Sequence, residues 1–344
     1  MRAFASFIVL IFLYTSSVGQ LLTNEELNTI SNSIKNKKVI GLGEPVHFSQ
    51  GYYNVKIQIL KHLIKAGDID AIALEASSIE TKKLNQYIKG ENLNIAKILP
   101  QLNAGYDFEK SGLFDCEEIL DFLAWLRMEN SKRKNKISIF GIDFQNIETP
   151  INNLETYSKK NEAFRQKLEI LKKDLNQLVK QFSSDQLSVY FDSAWKALAY
   201  KTYSTTLNVL DEIKQRNAPK SAIDNSTELT QFAYIFTNPN LLRDSIMFEN
   251  FMSQFNPEQK TVIWAARFHI ANDSIVNKSG TILTLGAYLS KSLGPSYYKI
   301  TLLKTADSIE ANSQRILYSM NKTRKYDMTI KTHPGKPAIR LEDD

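Results

Sequence analysis

Five short apolar runs, at residues 39–42, 71–74, 137–140, 261–265 and 298–303, constrain this chain more than any other feature. Each is rich in β-branched or aromatic residues and continuous rather than alternating. A strand of that kind must be covered on both faces, as in a parallel sheet. Helical patterns fill the intervals, over residues 53–66, 79–88 and 117–129 among others, and a helix over 21–34 leads into the first run. Repeated strand-helix order predicts an α/β fold, with a mostly parallel central sheet flanked by helices. Between residues 151 and 256 the strand signal stops. The stretches NEAFRQKLEILKKDLNQLVKQF and SAWKALAYKTYSTTLNVLDEIKQ read as amphipathic helices without a sustained heptad. This region is expected to be a large helical insertion forming one wall of a cleft. The core then comprises residues 20–150 and 257–330, with a last strand at 326–330 and a loose tail over 331–344.

Composition supports a full core: 43% of the 344 residues are hydrophobic and 23% charged. The formal charge of +6 is spread along the chain rather than gathered into a basic stripe, which argues against a nucleic-acid partner. The opening MRAFASFIVLIFLYTSSVGQ sets one arginine before a short apolar run and small polar residues. That order predicts a secretory signal peptide over residues 1–19, cleaved after Gly19, and a protein exported to the periplasm or secreted. The run is short for a bilayer span, so no stable membrane association is expected after cleavage. Cys116 is the single cysteine, which rules out an intramolecular disulfide.

Ligands of open parallel sheets bind outside the carboxyl ends of the strands, so the residues just after each run carry the functional reading. The first run delivers Glu44 and His47, the second Glu75, the third Asp143, and the fourth Arg267 and His269. Two of the four histidines thus fall among groups aimed at one edge. Gly41 and Gly43 are expected to let the backbone turn tightly there. Singly, each acid has a plain alternative: Glu44 or Glu75 as a helix cap, Asp143 in a turn. His62 reads as a packing residue on its helix, and His333 falls in the tail.

A histidine flanked by carboxylates is a general base whose tautomer the acids set, and nearby cations can stabilise a developing oxyanion. A serine hydrolase is disfavoured, because no Gly-x-Ser-x-Gly elbow is present and Ser49 lacks that context. The acids around Cys116 disfavour its thiolate. Glu44, His47, Glu75, Asp143 and His269 include enough donors for a metal, the serious rival, although no metal-ligand spacing stands out. Phosphate loops and dinucleotide fingerprints are missing from the sequence, and no cofactor is expected.

These residues resemble the erythromycin esterase family. The match runs through GLGEPVH, Lys56, ALEA with Glu75, LNQYIKG, Glu118 with WLRMEN, FGIDFQ with Asp143 and LLRDSIMFEN with Arg243 and Asp244. It ends with WAARFHI and GAYLSKSLGPSYYKI, so that residues 25–303 are covered in the family's order. The resemblance implies metal-independent hydrolysis of an ester, possibly a lactone, with His47 as the base that activates water and Glu44 and Glu75 orienting it. Lys56, Arg243 and His269 are implied to line the same cleft; together with Asp143 and Arg267 from the strand ends they are the expected substrate-binding residues, and the expected partner is a small-molecule ester. One departure stands out: Ala266-Arg267 occupies the place where the family usually has His-Asn. A non-catalytic ligand- or haem-binding protein on the same scaffold is the alternative.

Overall fold

The computed structural model describes residues 21–47, 49–102, 113–144, 146–159, 161–184, 192–237, 243–277, 280–304, 316–318 and 327–332. The expected signal peptide and residues 333–344 of the expected tail lie outside them, whereas residues 331–332 are not loose but complete the last strand. Five strands form the centre of the sheet: β1 (Val39–Glu44), β2 (Ala71–Ser77), β3 (Ser138–Asp143), β4 (Thr261–Ala266) and β7 (Tyr297–Lys304). Their order is β3-β2-β4-β1-β7, all parallel. Beyond β7, β9 (Met328–Thr332) adds in parallel and β8 (Ile316–Tyr318) antiparallel. A separate antiparallel pair, β5 (Ser274–Asn277) with β6 (Gly280–Leu283), follows His269 and has no counterpart in the sequence reading. Each strand is too short to show a period of its own.

The helices are α1 (Asn24–Ser33), α2 (Gln50–Ala66), α3 (Ser78–Lys89), α4 (Ile95–Ile98), α5 (Glu117–Ser131), α6 (Glu148–Tyr157), α7 (Glu162–Ser184), α8 (Ser193–Gln215), α9 (Lys220–Ile235), α10 (Arg243–Gln254), α11 (Arg267–Ile270) and α12 (Leu285–Leu293). Local chemistry sets several boundaries. Thr23 and Glu26 close a capping box on α1, and left-handed Gly67 and Gly90 end α2 and α3.

One face of the sheet buries Ile40, Leu42, Ile72 and Val262 against Leu60, Leu63 and Leu126 of α2 and α5. The opposite face buries Ile142, Ile263 and Ala265 against Met247 and Phe251 of α10 and Leu289 of α12. The helical stretch has its own core, with Leu154, Leu171, Trp195 and Phe232 contributed by α6, α7, α8 and α9. Helix α10 joins the two: Ile246 belongs to the helical core, while Met247 and Phe251 belong to the sheet. It therefore marks the point at which the chain returns from the helical wall to the core.

The two glycines of β1 act differently from the expectation. Neither has a positive φ, and neither makes a turn. A Cβ on Gly43 would lie 2.6 Å from the Cα of Arg267, and one on Gly41 2.9 Å from Cβ of Ile270. Both positions are bare because α11 lies directly on β1, and a side chain there would push it off.

Candidate active site

The carboxyl ends of β1, β2, β3 and β4 bring the expected acids to one edge. The helix-cap alternative accounts for neither Glu44 nor Glu75, while Asp143 does make a local contact, accepting the N–H of Phe144 at 2.9 Å. Helix α2 starts at Ser49 with no side-chain cap, and the cap of α3 is Ser77, whose hydroxyl accepts from the N–H groups of Ile79 and Glu80. Glu44 and Glu75 are thus left for other partners.

Glu44 is buried at the end of β1, and each of its oxygens has a separate partner. Oε1 lies 2.9 Å from Nδ1 of His47. Oε2 accepts from Nζ of Lys56, which also donates to the carbonyl of Ala265 at 3.1 Å and sits 4.8 Å from the centre of the Trp264 ring. Lys56 is wholly buried, so it stands behind Glu44 and does not reach the cleft surface that the sequence reading gave it. Burial pushes its ammonium well below the usual range, against a weaker upward pull from Glu75. Glu44 and Lys56 form a buried ion pair, each the other's charge partner. A carboxylate on Nδ1 fixes the ring so that Nε2 is the nitrogen able to accept a proton.

A second cluster surrounds Glu75. Arg243, at the start of α10, donates from Nη2 to Glu75 Oε1 at 2.5 Å, and from Nε and Nη2 to the two oxygens of Asp143, each at 2.9 Å. This fork pins a guanidinium between β2 and β3. The other oxygen of Glu75 accepts the backbone N–H of Ala266 at 2.8 Å. Nε2 of His269 stands 3.3 Å from Glu75 Oε1, while its Nδ1 lies 2.9 Å from both oxygens of Asp244. Asp244 also accepts the N–H of Leu285 at 2.8 Å, which ties the start of α12 to the cluster. Asp244 was quoted in a motif but given no role by the sequence reading. It lies 25 residues from His269, and no local pattern joins them.

The two histidines are driven to opposite charge states. Burial lowers His47 below its ordinary value; Glu75 pulls the other way, and the cations His269 and Arg243 reinforce the lowering. Burial also works against a charged His269, but Glu75 and Asp244 overcome it and raise the ring to about 10. Glu75, despite burial, is held well below the usual carboxylate range by His269, Arg243 and His47. Burial works against Arg243 as well, and Asp143 and Glu75 hold it charged. Near neutral pH the site therefore pairs a neutral imidazole with an imidazolium. Titratable groups whose environments push them apart divide the acid and base roles of a site.

Accessibility separates the residues further. The His47 side chain keeps 24% of its surface exposed and Arg243 26%, whereas Glu44, Glu75, Asp143 and Asp244 are buried. Arg267, the first residue of α11, is exposed beside Phe268. Among the described residues no three His, Cys, Asp or Glu side chains converge in a way that could hold a metal ion; the guanidinium of Arg243 fills the space between Glu75 and Asp143. Cys116 is buried, and burial together with Glu118 and Asp115 pushes its thiol up, out of reach of thiolate chemistry. A cavity of about 660 Å³ lies elsewhere, between α3, α9 and α10. On its rim Lys82 and Lys220 both pair with Asp224, and inside it burial pushes the carboxyl of Glu228, held by Ser77 and Ser78, up to about 8.

Known proteins share this arrangement of elements. The family model described as erythromycin esterase matches residues 64–334. Erythromycin esterase type I of Escherichia coli is 22% identical over 135 residues, a match covering 39% of this chain and 31% of that protein, under a third of its length. The putative hydrolase YbfO of Bacillus subtilis (strain 168) is 18% identical over 313 residues, covering 81% of this chain and 67% of YbfO. Among solved structures, a succinoglycan biosynthesis protein superposes with a TM-score of 0.58 at 20% identity, over 84% of this chain and 74% of that one. An erythromycin esterase mutant in its open conformation gives 0.55 at 16% identity, over 91% and 80%. At such identities these likenesses establish the α/β fold.

Proposed function

Because this chain belongs to the erythromycin esterase family, a family of hydrolase type, we propose that it cleaves a carboxylic ester by attack of a water molecule that His47 deprotonates. The observation that carries this reading is geometric: His47 keeps 24% of its side chain exposed with Nδ1 2.9 Å from Glu44, whereas His269 is buried between Asp244 and Glu75, and burial lowers the first ring while the two acids outweigh burial to raise the second. A neutral, partly exposed imidazole can act as the base; a buried imidazolium cannot.

In the proposed reaction Nε2 of His47 takes a proton from water as the hydroxide adds to the ester carbonyl. Glu44, at 2.9 Å from Nδ1, stabilises the imidazolium that forms, and Lys56 keeps Glu44 in place. The oxyanion of the tetrahedral intermediate is met by fixed positive charge, from Arg243 at the cleft and His269 behind it. Collapse expels the alkoxide, which takes the proton back from His47. Water is consumed, and one acid and one alcohol leave. Glu75 and Asp143 act through Arg243, and Asp244 acts through His269. No step in this scheme calls for a metal, since Arg243 and His269 already supply the positive charge.

The test is turnover of simple and macrocyclic esters by the intact protein with a chelator present, alongside His47→Gln. Chelator-resistant hydrolysis that disappears in the variant is the expected result. Hydrolysis that survives in His47→Gln, or is abolished by the chelator, overturns the scheme.

A further inference from the structure

Strand β2 loses its regular ladder where Glu75 leaves it. Pairing with β4 ends at Leu74 and Trp264. Against β3, Leu74 is opposite Gly141 but Ser77 is opposite Asp143, so β2 takes one more residue than its neighbour over that step. The extra residue makes a β-bulge at Glu75 and Ala76, and bulges of this kind re-aim a side chain at an active site. The bulge sits hard against β3: a Cβ on Gly141 would meet the carbonyl oxygens of Ala76 and Ser77. With the ladders interrupted, the direction of Glu75 depends on anchors outside the sheet, and α9 of the helical wall supplies one.

That anchor is Glu228, only 2% exposed. Its Oε1 accepts from the Ser77 hydroxyl at 2.5 Å, and its Oε2 accepts from the Ser78 hydroxyl at 3.2 Å and the N–H of Ile79 at 3.3 Å. Ser77 closes the bulge, two residues after Glu75 and in register with Asp143, the two acids that Arg243 bridges. Glu228 is itself held firmly, because Leu229 and Phe232 of the same helix lie in the helical core. The acids nearest to it have partners of their own: Glu80 of α3 accepts from Asn146 and Thr149, and Asp224 of α9 pairs with Lys82 and Lys220. Burial, helped by Glu80 and opposed by the Ser77 bond, raises the Glu228 carboxyl to about 8, so near neutral pH it keeps its proton and can both donate and accept. An amide of the same size can do both as well. We infer that Glu228 is a positioning residue for the ester-cleaving site: through Ser77 it fixes the β2 bulge, and the bulge aims Glu75 at Arg243, His269 and the Ala266 N–H. The helical wall then does more than enclose the cleft, since it holds one of the site's acids in line. The inference rests on the esterase reading for its kinetic consequence.

Three variants of the intact protein test this: Glu228→Ala, Glu228→Asp and Glu228→Gln. In Glu228→Ala kcat for a 4-nitrophenyl ester is expected to fall about 10- to 100-fold with KM little changed, the effect of a small misplacement of the site. Glu228→Asp, shorter by one methylene, is expected to fall between, and Glu228→Gln to recover most of the loss. The readout that a merely structural glutamate would leave alone is the titration of the His269 ring, followed by NMR. Glu75, 3.3 Å from Nε2, helps to hold that ring at about 10. If the bulge relaxes and Glu75 moves away, the midpoint is expected to fall by about one pH unit or more in Glu228→Ala, and to stay near the native value in Glu228→Gln. Should Glu228→Ala fail to fold, Glu228→Asp carries the same reading. An unmoved His269 midpoint in the folded variant overturns the inference and makes Glu228 a packing group, whatever is lost in melting temperature. Should the native protein hydrolyse no ester, the esterase reading fails on its own, and the His269 titration still decides whether Glu228 positions Glu75.

Discussion

Gly43 of β1 lies beneath Arg267 of α11 so closely that a Cβ on the glycine would come within 2.6 Å of the arginine Cα. The contact sets how close α11, and with it His269, can approach the site.

Gly43→Ala is therefore expected to lift α11. The atom it meets is backbone, which cannot swing aside as a side chain can. Overpacking of this kind costs about 1–3 kcal/mol. Urea denaturation should show that loss, and kcat should fall as well, because His269 moves with the helix. Unchanged stability together with unchanged kcat would mean that α11 is not seated on β1 in this way.

Lys56→Met is expected to strip Glu44 of its buried partner while retaining much of the packing against Trp264. Removing one member of a buried pair costs about 3–5 kcal/mol when the other stays charged. Glu44 is then expected to take up a proton, which weakens its hold on Nδ1 of His47. A drop in kcat of about 10- to 100-fold is expected, part of the roughly 10²–10⁴-fold that a positioned general base contributes. The readout that a merely structural lysine would leave alone is the acid limb of the pH profile, which should shift as the His47 environment changes. A melting-temperature loss with an unmoved pH profile would assign Lys56 to the core alone.

The pH dependence follows from the two histidines. His47 is lowered below 6.5, so kcat/KM is expected to rise through a limb on the acid side of that value, as the ring loses its proton. His269 is raised to about 10, so the positive charge it supplies is lost, and kcat/KM falls, through a limb near there. The plateau between them covers neutral pH. A single limb centred at or above 7 would contradict the assignment of His47 as the neutral partner.

Asp244→Asn separates the contribution of His269 to stability from its contribution to catalysis. With its folded value raised, His269 stabilises the fold fully below its unfolded value of about 6.5, and that stability is lost as pH rises through about 10. Removing the Asp244 charge lowers the His269 value and pulls the basic limb of the rate profile toward neutrality. The stability difference between native protein and variant is expected to be largest near pH 6 and to shrink by pH 10. A difference that does not vary with pH would show that Asp244 contributes through Leu285 and packing alone.

How much of this was legible in the sequence differs from residue to residue. Continuous apolar runs at 39–42, 71–74 and 137–140 reveal strands because burial on both faces leaves few other choices, and their carboxyl ends identify Glu44, Glu75 and Asp143 as groups on one edge. The residue types alone indicated a base beside acids. What the sequence could not hold was pairing across distance. Arg243 lies 100 residues from Asp143 and 168 from Glu75, and its fork onto both exists only once β2 and β3 are neighbours. The same holds for Asp244 and His269, which only the packing of α10 against α11 and α12 brings together, and for Lys56, whose distance from His47 says nothing of its burial behind Glu44. The glycines of β1 show the limit most plainly. In sequence Gly41 and Gly43 read as a tight turn, whereas in the folded chain they are strand residues under a close-packed helix. Local composition determines where strands end and what chemistry they carry; charge state and access depend on long-range neighbours, and only tertiary structure decides those.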